Sequence, residues 1–333
     1  MRPISHIATI SIGLCAVAVS ACNGPTSSFS PPANSIAQSH VRGAAASPTP
    51  SPVPFVFQTI DDPNSYQNRV TGINQLGKVV GVWGGGQGSS LWQSYYAVSP
   101  YTKFRPINYP GAQGTYVTSL SSNKIQAGYV IDPGGQTEIS GFAKIGGVWY
   151  TFNDPNQGTG NNAVTEIWGV NDSEYAAGFY VNSSGNDVAF ELNIPTNTYT
   201  DLAPPGATGA VQATGIDGKE NMSGWEVTAS GAKGFFYEAG TYYALAYPGA
   251  TNTYALSLNW QDQVVGSYTD QAGMSHGFML TGPTRGGSQM LWQSIDAPNA
   301  TQGTWVTGIN NHGQICGYYV DAAGHSHGFL ANP

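Results

Sequence analysis

The sequence predicts an all-β fold, a six-bladed β-propeller, on three observations. The first is a ten-residue core, G-[IV]-N-x-x-G-x-[IV]-x-G, present as GINNHGQICG at 308–317 and GINQLGKVVG at 72–81. It recurs as SLSSNKIQAG at 119–128, GVNDSEYAAG at 169–178, GIDGKENMSG at 215–224 and SLNWQDQVVG at 257–266. The last glycines of these cores, Gly81, Gly128, Gly178, Gly224, Gly266 and Gly317, lie 47, 50, 46, 42 and 51 residues apart. A period of roughly 40 to 50 residues, room for four strands, marks a propeller. The second is composition: only 9% of the 333 residues are charged, with 44 glycines and 21 prolines. Such a chain favours many short strands and turns over helices. The third is that every repeat divides into four short strands in meander order.

Residues 1–21 read as a signal peptide. Arg2 supplies the positive start, and the apolar run from Ile7 to Val19 is too short to span a bilayer. Val19-Ser20-Ala21-Cys22 resembles the bacterial lipobox, in which the cysteine is lipidated and becomes the mature N-terminus. Asn23 stands where inner-membrane retention uses Asp, so the resemblance implies the outer membrane or cell surface. Residues 22–54 carry that cysteine and a disordered Ser/Ala/Pro-rich tether ending SPTPSPVP, with a reach of roughly 30 Å.

The folded part is 55–333. In each repeat strand A carries Gly-Ile-Asn and strand B the second glycine. Strand C carries Gly-Phe, as at Gly277-Phe278, and strand D a pattern such as Gln58-Thr59-Ile60-Asp61. A and B meet in tight turns, for example Asn310-Asn311-His312-Gly313, where Asn and Gly tolerate positive φ. D leads to the next A through Tyr-Pro-Gly-Ala at 109–112 and 247–250 or Ala-Pro-Asn-Ala at 297–300. The domain thus begins with a D strand, 55–61, and ends with a C strand, 326–331. Pairing these two antiparallel completes the last blade and closes the ring, removing two open edges. Cys316 is the only cysteine of this part and reads as a small buried hydrophobe.

These repeats resemble the extracellular HAF-repeat family, named for a His-Ala-Phe tripeptide after an Ile-Asn-x-x-Gly-x-[IV]-x-Gly run. His276-Gly277-Phe278 and His327-Gly328-Phe329 come nearest, with Val188-Ala189-Phe190 and Lys233-Gly234-Phe235 further off. The resemblance covers 55–333 and implies an exported propeller-like protein without an assigned activity. The second repeat departs most, with Ser119 and Ser121 for Gly and Asn.

Charge and motifs exclude several functions. Net charge is −8, or −9 once Arg2 leaves (10 basic against 19 acidic), and no basic patch exists for nucleic acid. There is no G-x-S-x-G, H-E-x-x-H or P-loop, and no cofactor is implied. His325 and His327 are two apart and share a strand face, a spacing compatible with a metal, yet no third ligand recurs, so no metal site is expected. Asp132, Asp270 and Asp321 occupy B–C turns where Asp caps local amides, and the sequence leaves calcium there undecided.

The position three before each core holds Arg69, Tyr116, Glu166, Gln212, Tyr254 and Trp305. With A innermost, these form one ring at a mouth of the central channel, and mixed polar and aromatic groups converging on a concavity are what ligand sites are made of. Tyr66, Tyr109 and Tyr247 add aromatic rings from the D–A loops. The expectation is a monomeric, lipid-anchored envelope protein whose propeller binds a glycan, peptide or protein partner without catalysis. The competing reading is an extracellular polysaccharide hydrolase or lyase with Glu166 as acid/base, which requires a second carboxylate within range.

Overall fold

The computed structural model describes residues 54–63, 65–84, 92–131, 138–285 and 290–333. The signal peptide, Cys22, the tether and Asp132 lie outside the described residues. β1 (Val56–Ile60) comes first. The first repeat then forms β2 (Gln67–Ile73), β3 (Val79–Gly84), β4 (Gln93–Ala97) and β5 (Arg105–Ile107). The second forms β6 (Gly114–Leu120), β7 (Gln126–Ile131), β8 (Ile139–Ile145) and β9 (Val148–Phe152). The third forms β10 (Thr165–Val170), β11 (Tyr175–Val181), β12 (Asp187–Asn193) and β13 (Thr198–Leu202). The fourth forms β14 (Val211–Ile216), β15 (Met222–Thr228), β16 (Gly231–Glu238) and β17 (Thr241–Leu245). The fifth forms β18 (Asn252–Leu258), β19 (Gln263–Thr269), β20 (Ser275–Thr281) and β21 (Leu291–Ile295). The sixth forms β22 (Gly303–Ile309), β23 (Ile315–Val320) and β24 (Ser326–Asn332).

Repeats two to five each make a separate four-stranded sheet in chain order. Repeats one and six share an eight-stranded sheet, β22-β23-β24-β2-β3-β4-β5, with β1 paired to β24. The sequence expects six separate blades; the strand pairing gives five sheets in an all-β, propeller-like fold. The reason is local. Ser326 Oγ donates to Gln67 Oε1 and Gln67 Nε2 donates to the Gly324 carbonyl, drawing the starts of β2 and β24 into one parallel pair, Gln67 with Ser326. β1 runs antiparallel to β24 from Val56 opposite Asn332 to Ile60 opposite Gly328, the pairing expected of 55–61.

The core consists of apolar layers between successive repeats, because each sheet is apolar on both faces. Val80 and Ile107 meet Val117 and Phe142; Ala143 and Phe152 meet Ile167 and Phe190; Leu202 meets Val211 and Phe235. Leu245 meets Leu258 and Phe278, and Ile295 meets Val306 and Phe329. Between repeats six and one, Ile60, Cys316 and Leu330 pack on Val70, Val79 and Tyr95, so Cys316 is fully buried and its thiol is pushed up to about 12 by that burial. Burying these side chains supplies the main stabilising term, about 25 cal/mol per Å² of apolar surface.

The recurring Asn works on two sides. Asn310 Oδ1 accepts the N–H of His312 and of Gln314, shaping the A–B turn, while its Nδ2 donates to the Asn74 carbonyl of the first repeat. Asn74 does the same toward Ser121, Asn171 toward Asp217 and Asn259 toward Asn310. The turn residue with positive φ is the fourth one: Gly77 and Gly313, but also Lys124, Glu174, Glu220 and Asp262. Asn310 itself is not left-handed, so the turn needs the Asn for its side chain rather than its backbone.

Candidate functional site

All six predicted ring residues occupy the second or third place of an A strand, one step before a β-bulge. The bulge explains the glycines that end each core. A Cβ on Gly128, Gly266 or Gly317 would lie 1.9 Å from the carbonyl oxygen of Tyr116, Tyr254 or Trp305. The bulged residue points to the neighbouring repeat. Thr71, Thr118, Thr214 and Thr307 donate there to the carbonyls of Val117, Ile167, Ala255 and Val70. In the third repeat this position holds Trp168.

The ring residues divide into linked groups. Arg69 is half-buried, with Cζ 4.6 Å from the Trp92 ring centre and 4.7 Å from that of Tyr318. Trp305 stacks on the same Tyr318 at 4.9 Å and 10°. Tyr116 stacks on Tyr129 at 4.8 Å and 8°, and its hydroxyl bonds the Trp92 backbone. Tyr129 lies 6.1 Å from Trp168, whose Nε1 donates to Glu166 Oε2 at 2.9 Å. Gln212 Nε2 donates to Asp187 Oδ2 at 2.6 Å, and Tyr254 meets Trp225 edge-on at 5.3 Å. The buried Arg69 Nε, Trp305 Nε1 and Glu166 Oε1 have no hydrogen-bond partner among the described residues.

Glu166 is only 1% exposed. Burial pushes its carboxyl up to about 8, the Trp168 N–H opposing and the Asp187 carboxyl reinforcing the shift. Asp187 is itself raised by burial against the pull of Gln212. Glu166 is therefore held mostly neutral near pH 7, with one oxygen bonded to Trp168 and the Asp187 carboxyl close enough to act on it.

His276 and His327 serve the fold. His327 Nδ1 bonds Asp61 Oδ2 at 2.6 Å, and its Nε2 bonds Asp321 Oδ2 at 3.2 Å. His276 repeats the pattern with Asp296 at 2.9 Å and Asp270 at 3.5 Å. Each thereby ties strand C to strand D and to the B–C turn of its repeat. His325, one residue ahead of β24, lies on the same side as His327, its Nδ1 3.9 Å from Asp321 Oδ2 and its ring tilted against Tyr66. Oδ1 of Asp270 caps the N–H groups of Ala272 and Met274, and that of Asp321 those of Ala323 and His325. Of the loop tyrosines, Tyr247 is stacked on Tyr268 at 3.6 Å and Tyr109 packs on Trp149, while Tyr66 is 56% exposed.

Sequence reasoning missed the strand-B partners. The residue after each last glycine, Val82, Tyr129, Phe179, Trp225, Ser267 and Tyr318, stands opposite the ring residue of its own repeat. That fixed offset was a usable signal, since four of the six are aromatic.

Among solved structures the chain is similar to AofleA from Arthrobotrys oligospora, with TM-score 0.51, 11% identity and coverage of 83% of this chain and 86% of that one. It is also similar to a protein of unknown function from Dyadobacter fermentans, with TM-score 0.50, 12% identity and coverage of 83% and 99%. Aleuria aurantia lectin, a fungal fucose-recognising lectin of six-bladed β-propeller fold, follows at TM-score 0.47, 10% identity and coverage of 80% and 92%. At such identities the likeness is one of fold. No protein-family model and no curated protein matches the chain.

Proposed function

We propose that this chain is a non-catalytic glycan-binding protein of the HAF-repeat type, held at the cell envelope by lipid on Cys22. The observation that carries the reading is a constellation on equivalent strand-A positions, filled by different aromatic and polar residues, in which two buried N–H donors, Arg69 Nε and Trp305 Nε1, have no partner among the described residues. Buried donors are ordinarily satisfied, and a ligand or water must supply what the protein does not. Aromatic rings suit the apolar faces of sugars.

The binding domain is, in this reading, a six-bladed propeller in which β1 completes the sixth blade. Three features support it. The apolar layer between repeats six and one matches the other layers. The Thr307 bond to Val70 and the Asn310 bond to Asn74 repeat across that seam the bonds made at other joints. The shared sheet is continuous through one residue pair only.

The test is a glycan array with the purified protein, followed by Trp305→Ala and Tyr254→Ala. Both variants should lose binding with only a modest fall in melting temperature, since a partly exposed stack contributes about 1 kcal/mol. A wild-type protein that binds no glycan, or variants that bind normally, would refute the reading.

A further inference from the structure

The ring has one side chain that is cationic at neutral pH, and nothing in the described protein neutralises it. Arg69 makes no ion pair among the described residues. Of the residues outside that set only Asp132 is acidic. Glu166, the acid of the same ring, is kept protonated by burial up to about pH 8 and supplies no counter-charge. A half-buried cation without an anion is costly, and aromatic faces offset only part of that cost.

The surroundings are ordered for a ligand's charge rather than the protein's own. The guanidinium lies over two rings, Trp92 at 4.6 Å and Tyr318 at 4.7 Å, contacts that do not consume its N–H donors, whose fork suits a planar acceptor. Tyr318 also carries the Trp305 indole at 4.9 Å, and both Trp305 Nε1 and Arg69 Nε are unsatisfied. Two unpartnered donors thus meet around one buried tyrosine, beside the partly exposed indole of Trp305.

We infer that Arg69, Trp92, Trp305 and Tyr318 form a subsite for the carboxylate of an acidic sugar, so that the glycan bound is a uronic-acid polymer. This rests on the glycan-binding reading. A carboxylate accepts two parallel N–H bonds from a guanidinium, a geometry a neutral hydroxyl cannot reproduce.

The test is calorimetric titration of the purified protein at pH 7 with oligogalacturonate and hyaluronan oligosaccharides, each beside its methyl ester. The acids should bind, the esters at least tenfold more weakly, and the difference should shrink with added salt. Arg69→Gln should abolish the preference, and Arg69→Lys, which keeps charge without the fork, should retain part of it. Esters that bind as well as the acids, or neutral glycans that bind when no acid does, overturn the subsite and leave glycan binding standing. Binding of no glycan at all overturns both. Should Arg69→Gln fail to fold, the acid–ester comparison on the wild-type protein decides alone.

Discussion

Replacing Glu166 by Gln keeps the shape of the protonated acid and removes its proton equilibrium. Burial lifts this carboxyl from 4.5 to about 8 in the folded chain. Between those values the folded state holds a proton that the unfolded state has released, so stability is greatest at the acid end and falls as pH rises. Each pH unit in that window is worth at most about 1.4 kcal/mol. From about pH 5.5 to about pH 7.5 the wild-type protein should lose on the order of 2 to 3 kcal/mol through this one group. For a domain of this size that is roughly 5 to 10 °C of melting temperature. Asp187 and Glu226, raised by burial, add slope of the same sign. So does His327, where burial pulls down but Asp61 and Asp321 outweigh it. The quantity to read is therefore the difference between wild type and Glu166→Gln in calorimetric scans across pH. The two should nearly coincide at pH 5, and the variant should be the more stable at pH 8. A variant that keeps the wild-type slope would show that Glu166 does not titrate in this range, and the assignment of a neutral buried acid would fall.

Asp61→Ala removes the acceptor of both His327 Nδ1 and the Gly328 N–H; the melting temperature should drop, and more at pH 5.5 than at pH 8.5, because the raised histidine loses its partner. An equal drop at both pH values would mean that His327 is not protonated in the folded chain. Gly266→Ala places a Cβ 1.9 Å from the Tyr254 carbonyl oxygen and should destabilise by several kcal/mol in urea melts. Gly273→Ala, at φ +84 with open space around it, should cost about 1 kcal/mol, and similar losses for the two would contradict the bulge geometry. Cys22→Ser should move the protein from the membrane fraction to the soluble fraction, and a variant still firmly membrane-bound would sink the lipid anchor.

Much of the fold was legible because the repeat encodes local geometry. The Gly-Ile-Asn run announces an A strand and the turn that follows, and the pairing of 55–61 with the last strand followed from counting strands. The shared sheet of repeats one and six was not legible, because it depends on the Gln67 and Ser326 side chains meeting across 259 residues. For the candidate site, aligning strand A put six residues on equivalent strand positions; it could not tell that Glu166 accepts a bond from Trp168 while Trp305 Nε1 has no partner among the described residues. Those differences arise from neighbours on other strands, and no spacing within one repeat reports them.

The pairing of Val56 with Asn332 also sets an order of events. During synthesis β1 emerges before every other described strand, and its partner β24 is the last of them. Until then β1 has no sheet to join, and the apolar layer that Ile60 shares with Val70 and Leu330 is incomplete. Contacts of such long sequence separation form late, because the chain must first be closed over its whole length. Until β24 is made, the described sheets form an open stack, and β1 lacks its partner strand. A chain cut short before β24 would leave β1 unpaired and the layer around Ile60 exposed, which makes truncated products natural targets for chaperones and proteases.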